Sequence, residues 1–211
     1  MIAKESLRLI IPMLIVAVLA IFLAKYFDLG IMMVLFWVTL VSIIFTLYFF
    51  RDPERITPQN PAFLIAPADG KVVGISEVND PFVGGGIKIA IFMSPFDVHI
   101  NRAPYSGIIR QIEHKCGKFH SAFKPEAAIE NEQCRITMEK DNLKLAVTQI
   151  AGFCARRIIS RVKVGQNLEK GERFGLIMFG SRVELIIPKG LKINICSGAK
   201  VKAGETVIGE I

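Results

Sequence analysis

The sequence predicts a mainly β domain of the β-sandwich or barrel-sandwich kind, standing behind an N-terminal α-helical hydrophobic hairpin. Three observations predict this. Two long charge-free apolar runs occupy the first 50 residues, short β-branched stretches alternate with turn signals through the rest, and one glycine-turn pattern occurs twice. With 52% hydrophobic residues and a mean hydropathy of +0.44 over 211 residues, the chain is too apolar on average for an ordinary soluble domain.

The first apolar run, Leu9–Ala24, has 16 residues, and after Lys25-Tyr26-Phe27-Asp28 the second, Leu29–Phe50, has 22. At about 1.5 Å per helical residue the second is long enough for a hydrocarbon core of about 30 Å, whereas the first is marginal. A cleaved signal peptide accounts for one such run but not for two, and no small-residue cleavage site follows the first. Residues 1–50 are therefore read as a retained membrane anchor. Lys4 and Arg8 precede it, Arg51 and Arg55 follow it, and the connecting loop holds only the offsetting Lys25 and Asp28. The positive-inside rule then puts both ends, and the domain that follows, on the cytoplasmic side of the cell membrane. A re-entrant hairpin keeps the same sidedness.

Residues 51–211 suffice for one domain with a real core. Arg51-Asp52-Pro53-Glu54-Arg55, with Pro58 and Pro61, ends the second helix. Cys116, Cys134, Cys154 and Cys196 are widely spaced with no C-x-x-C pair, and no His stands at metal-ligand spacing, so the reading is reduced core thiols and no metal. The net charge of +7 and pI near 9.3 suit an anionic partner, and the adjacent hairpin favours anionic lipid over nucleic acid.

Strands are expected at Lys71–Ile75, Ile87–Met93, Gly107–Ile112, Cys134–Met138, Leu143–Ile150, Arg182–Ile187 and Leu191–Ile195. Ala66–Gly70, Asn79-Asp80-Pro81 and Gly84-Gly85-Gly86 are expected as turns, and Ala151–Ile159 as a turn or short helix. The repeat pairs Gly165–Glu172 with Gly198–Glu205; each copy sets glycines where a tight turn needs positive φ, around one buried aliphatic residue. The spacing is similar to the turns of lipoyl- and biotinyl-type domains. No lysine stands out at a hairpin tip to carry a swinging arm, so the likeness gives no function.

Single residues are ambiguous. His99 follows Asp97 by two, and strand alternation would put the carboxylate beside the imidazole, a pair suited to acid/base work; tying down a loop is the commoner role for such a histidine. His114 and His120 flank a turn containing Gly117, and each reads as a surface or structural residue. Asp69, in Pro67-Ala68-Asp69-Gly70, is by default a turn former. Ser181 follows Gly180 between two apolar strands, without the G-x-S-x-G elbow of a hydrolase nucleophile.

Taken together these stretches say more. Arg51–Arg55 after an apolar hairpin, Pro67–Gly70, Ser94-Pro95-Phe96-Asp97-Val98-His99-Ile100-Asn101-Arg102-Ala103-Pro104, Gln149–Arg157 and Glu172–Val183 lie in order along nearly the whole chain. The sequence closely resembles the phosphatidylserine decarboxylase family, in its short branch of one domain plus anchor. The resemblance implies a proenzyme that cuts itself at Gly180-Ser181 into a β chain, 1–180, and an α chain, 181–211, which stay together as a heterodimer. It implies that Ser181 becomes a pyruvoyl group, the enzyme's only cofactor. That group would form a Schiff base with phosphatidylserine and release CO2 to give phosphatidylethanolamine. By the same resemblance His99 transfers protons, and Asp69 partners it or activates Ser181, with Asp97 as the fallback. Longer relatives carry a second histidine three residues after the first, where this chain has Arg102.

Archaetidylserine, with the same headgroup on ether-linked chains, is an alternative substrate, and a non-catalytic membrane adaptor with a lipoyl-like sandwich is the rival from another class. A higher oligomer stays open.

Overall fold

The computed structural model describes the chain except residues 121–125, 153–156 and 179, and divides it into two compact units, Met1–Glu54 and Arg55–Ile211. In the first unit a short 3-10 turn, Lys4–Ser6, leads into α1 (Leu7–Tyr26), and α2 (Gly30–Phe49) packs back along it. Asp28, at φ 52°, makes the tight reversal between them, and α2 stops just before the Arg51-Asp52-Pro53 break. Ala17, Ala20 and Ala24 of α1 and Ile43 and Thr46 of α2 are buried, while Val18, Phe22, Val34, Trp37 and Val41 face outward. Apolar side chains on the outside are the reverse of a water-soluble helix pair. Thr39, Ser42 and Thr46 turn their hydroxyls back onto the carbonyls of Leu35, Val38 and Ser42 at 2.8 Å, which satisfies these three donors within the helix. Both helices are long and apolar enough to cross a membrane, which is compatible with membrane association.

The second unit is mainly β. Its strands are β1 (Phe63–Ile65), β2 (Gly70–Asp80), β3 (Gly84–Met93), β4 (Ile100–Arg102), β5 (Gly107–Lys115), β6 (Gln133–Lys140), β7 (Leu143–Ala151), β8 (Ile158–Ser160), β9 (Asn167–Leu168), β10 (Arg173–Ile177), β11 (Ser181–Pro188), β12 (Lys192–Ile193), β13 (Lys200–Val201) and β14 (Val207–Glu210), with one short helix, α3 (Ala127–Glu130), before β6. An eight-stranded antiparallel sheet runs β13-β2-β3-β11-β7-β6-β5-β9, and two three-stranded sheets run β1-β14-β12 and β4-β10-β8. Alternate residues of the large sheet, Ile89, Ile91 and Met93 of β3, Val183, Leu185 and Ile187 of β11, and Leu145, Val147 and Ala151 of β7, form one apolar core.

The two glycine-turn repeats hold the two ends of that sheet order. Gly165 and Gly171, and Gly198 and Gly204, all have positive φ, and the aliphatic residue inside each copy, Leu168 of β9 or Val201 of β13, is buried on an edge strand.

Local differences from the sequence reading have physical causes. Gly84-Gly85-Gly86 begins β3 instead of forming a turn, because the turn is made earlier, where Asp80 Oδ1 accepts the amides of Phe82 and Val83. Only Lys192–Ile193 of the expected Leu191–Ile195 is strand. Cys134 is buried, which raises its thiol pKa to about 11, but Cys116 and Cys196 are exposed, so they are free thiols outside the core; Cys154 lies outside the described residues. Most of the expected turn at Ala151–Ile159 also lies outside them.

Candidate active site

The antiparallel pairing of β4 with β10 sets Ile100 opposite Leu176, so His99, one residue ahead of β4, lies alongside the chain leaving β10. That chain passes through Gly180 into β11. Ser181 is the first residue of β11 and is paired on both sides, with Met93 of β3 and Ala151 of β7. The β10–β11 connection therefore carries the Gly180-Ser181 bond across the top of the core, with Ser181 at 0% and His99 at 1% exposure.

The imidazole is held at both nitrogens. Nδ1 lies 2.9 Å from the main-chain oxygen of Asp97, and since a carbonyl can only accept, Nδ1 carries the proton. Nε2 is then the basic nitrogen, and it accepts the Gly180 amide at 3.3 Å. The sequence reading had the Asp97 carboxylate orienting this ring. Instead 94–97 is a turn, not a strand: Asp97 Oδ2 accepts the Ser94 amide at 2.7 Å, and the backbone of Asp97 orients His99. A carboxylate two residues away on a turn does not share the face that strand alternation would give it.

Gly180 has φ +66°, and a Cβ added there would meet no atom of the described residues within 4 Å beyond its own chain neighbours. At this φ the backbone conformation itself calls for glycine. Ser181 Oγ donates to the Met93 thioether sulfur at 3.3 Å.

Asp69 is buried nearby, with both oxygens engaged: Oδ2 with Arg55 Nη2 at 2.7 Å, and Oδ1 as acceptor of the Ala203 amide at 2.8 Å. Burial raises its pKa above the usual carboxylate value; the Ala203 hydrogen bond and Arg55 oppose this, and the charge of Asp97 adds to it. The turn that holds Asp69 is fastened to the histidine segment, because the Pro67 carbonyl accepts the amide of Arg102 at 2.9 Å. Arg102 is itself buried, with Nη1 donating to the Gly171 carbonyl at 3.0 Å. Arg55, counted among the charges flanking the hairpin, is engaged by Asp69 and Glu205. His120 pairs with Glu130 at 3.0 Å, and His114 is exposed on β5.

Sequence reasoning missed three buried polar side chains around this junction. Gln149 donates from Nε2 to Asn101 Oδ1 at 2.7 Å, Asn101 Nδ2 reaches the Met93 sulfur at 3.9 Å, and Asn131 donates to the carbonyls of His120 and Ala151 at 2.8 and 2.7 Å. The available signal was parity, since Gln149 shares the inward phase of the apolar Leu145, Val147 and Ala151.

The site is thus a buried Gly-Ser junction in a mainly β fold. The family model described as phosphatidylserine decarboxylase matches residues 43–209. A protein of Trichlorobacter lovleyi named phosphatidylserine decarboxylase proenzyme is 47% identical over 172 residues, 81% of this chain and 78% of that one. Proteins of the same name from Chlorobium phaeovibrioides and Desulfotalea psychrophila are both 44% identical, covering 81% and 84% of this chain and 78% and 85% of their own lengths. The chain belongs to the phosphatidylserine decarboxylase family.

Proposed function

We propose that this chain is a proenzyme that cuts itself between Gly180 and Ser181 and then decarboxylates phosphatidylserine to phosphatidylethanolamine. The observation that carries the proposal is the junction itself, a positive-φ glycine whose amide rests on the basic nitrogen of a buried histidine, followed by a fully buried serine. Ser181 Oγ attacks the Gly180 carbonyl carbon, and the chain is transferred from nitrogen to oxygen as an ester. Removal of the Ser181 Cα proton then breaks the Cβ–Oγ bond and releases residues 1–180 with a terminal carboxylate. Residue 181, left as dehydroalanine, takes up water and loses ammonia to become a pyruvoyl end. His99 Nε2 is the base we assign to the proton transfers, with the Asp97 carbonyl fixing its tautomer. Both oxygens of Asp69 are engaged, by Arg55 and by the Ala203 amide. We assign it the positioning of the Pro67–Gly70 turn, and through Pro67 and Arg102 of the His99 segment.

The surroundings fit a pyruvoyl group made in place. β11 is hydrogen-bonded to β3 and β7 along its length, β13 to β2 and β14 to β1, so residues 181–211 keep their partners after the cut and remain as the second chain of a heterodimer. When present, the group supplies a ketone that condenses with the primary amine of the substrate and accepts the electron pair left by CO2.

A membrane substrate gives the apolar hairpin a purpose, and Lys4, Arg8 and Arg51 support a cytoplasmic site. The name its relatives carry favours the phosphatidyl over the archaetidyl lipid, and membership of an enzyme family leaves no support for the non-catalytic adaptor. Ser181→Ala is the direct test: the variant should stay as one uncut chain without decarboxylase activity, and activity surviving in it would defeat the proposal.

A further inference from the structure

The core face beneath the cleavage junction holds a polar group with no part in the steps above. Met93, Ser181 and Ala151 make one cross-strand row, and Ile91, Val183 and Gln149 the next. Asn101, from the small sheet, lies across these rows and is anchored at both ends of its carboxamide. Oδ1 accepts from Gln149 Nε2 at 2.7 Å, and Nδ2 reaches Met93 Sδ at 3.9 Å, the same sulfur that takes the Ser181 hydroxyl at 3.3 Å. Asn101, Gln149, Met93 and Ser181 are all at 0% exposure. Gly175, paired with Asn101, makes room for the arrangement, since a Cβ there would come within 2.9 Å of Gln149 Nε2.

Two buried carboxamides are costly in an apolar core unless their hydrogen bonds are strong. These are not fully so. A thioether is a weak acceptor and here serves two donors, and Gln149 Oε1 has no partner among the described residues. The Asn101 N–H is thus a good donor resting on a poor acceptor, beside the serine whose reaction creates a negatively charged oxygen.

We propose that Asn101 is a hydrogen-bond donor for self-cleavage and that Gln149 is the residue that positions it. As Ser181 Oγ bonds to the Gly180 carbonyl carbon, the carbonyl electron pair moves onto oxygen, and Asn101 Nδ2–H leaves the Met93 sulfur for that oxygen. The pair then returns, the Gly180–Ser181 C–N bond breaks, and the hydroxyl proton ends on the Ser181 nitrogen, with no co-reactant needed. Gln149 Nε2 holds Asn101 Oδ1 and so keeps the N–H end of the amide turned toward Ser181.

The inference rests on the self-cleavage reading, and the experiment separates the two. Freshly made full-length precursor is followed on denaturing gels as wild type, Asn101→Leu, Asn101→Ser and Gln149→Leu, with and without hydroxylamine, which cuts esters. Both Asn101 variants should cleave about 10²–10³-fold more slowly, the usual effect of losing one such donor. Gln149→Leu should slow cleavage roughly tenfold, as for loss of an orienting partner. Hydroxylamine should not restore cleavage, because the block precedes the ester, and the melting temperature of each variant in a Ser181→Ala chain should lie within a few degrees of that parent. Wild-type rates in a folded Asn101 variant, or an ester that hydroxylamine cuts, would overturn the inference. A wild-type chain that never cleaves would instead overturn the self-cleavage reading.

Discussion

Replacing Gly180 with alanine separates the two reasons a glycine can be needed at a cut site. The residue sits at φ +66°, with no atom of the described residues beyond its own chain neighbours within 4 Å of where a Cβ would go, so the cost should come from the backbone alone. Holding a non-glycine residue in that region costs about 1–2 kcal/mol. In a unit the size of Arg55–Ile211 this lowers the melting temperature by about 2–8 °C. The melt is read in a Ser181→Ala chain, so that cleavage does not change the species being unfolded. With Ser181 present, cleavage of Gly180→Ala should persist within about tenfold of wild type, a change equivalent to roughly 1.4 kcal/mol. The Gly180 amide that rests on His99 is retained in alanine. A well-folded Gly180→Ala chain that does not cut at all, or a melting temperature lowered by much more than this range, would refute the reasoning. Either result would mean that the attacking geometry needs room the folded precursor does not reveal.

Two further perturbations address the flanking groups. His99→Ala removes the base at Nε2 and should slow self-cleavage by about 10²–10⁴-fold, with circular dichroism unchanged; normal processing would reduce His99 to a structural residue. Asp69→Asn tests the buried carboxylate through pH. Because the folded pKa of Asp69 is raised above 3.8, the folded state binds its proton more tightly than the unfolded state does. Its contribution to stability is therefore greatest at low pH and falls as pH rises from about 4 through the raised value. Melting curves of wild-type and Asp69→Asn chains, both uncut, should draw apart at acid pH by a margin that shrinks through that window. A margin that grows with pH would contradict the raised pKa. The pH-independent part of the loss should be below the roughly 3–5 kcal/mol of a stranded buried charge, because Arg55 keeps Glu205 at 3.1 Å.

The hairpin, the β character and the repeat were legible because each is written in local pattern. Charge-free runs mark α1 and α2, alternation marks β3, β6, β7 and β11, and paired glycines mark the turns at the two ends of the large sheet. The identity of the junction was legible only from several motifs in combination, since Gly180-Ser181 alone reads as a turn. What pattern could not supply was the third dimension. Nothing local says that Asp97 offers its carbonyl and not its carboxylate to His99, or that Asp69 faces Arg55 and Ala203. The Asn101–Gln149 pair joins residues 48 positions apart in different sheets, and only the packing of those sheets brings them together.

The central claim is that residue 181 is made into the cofactor by cleavage of the bond before it. Intact mass measurement of the purified, active protein tests this most directly. The account predicts two chains, 1–180 ending in a free carboxylate and 181–211 beginning with a pyruvoyl group in place of serine. An active preparation containing only the intact 23.4 kDa chain, or a 181–211 fragment that still begins with serine, would contradict it.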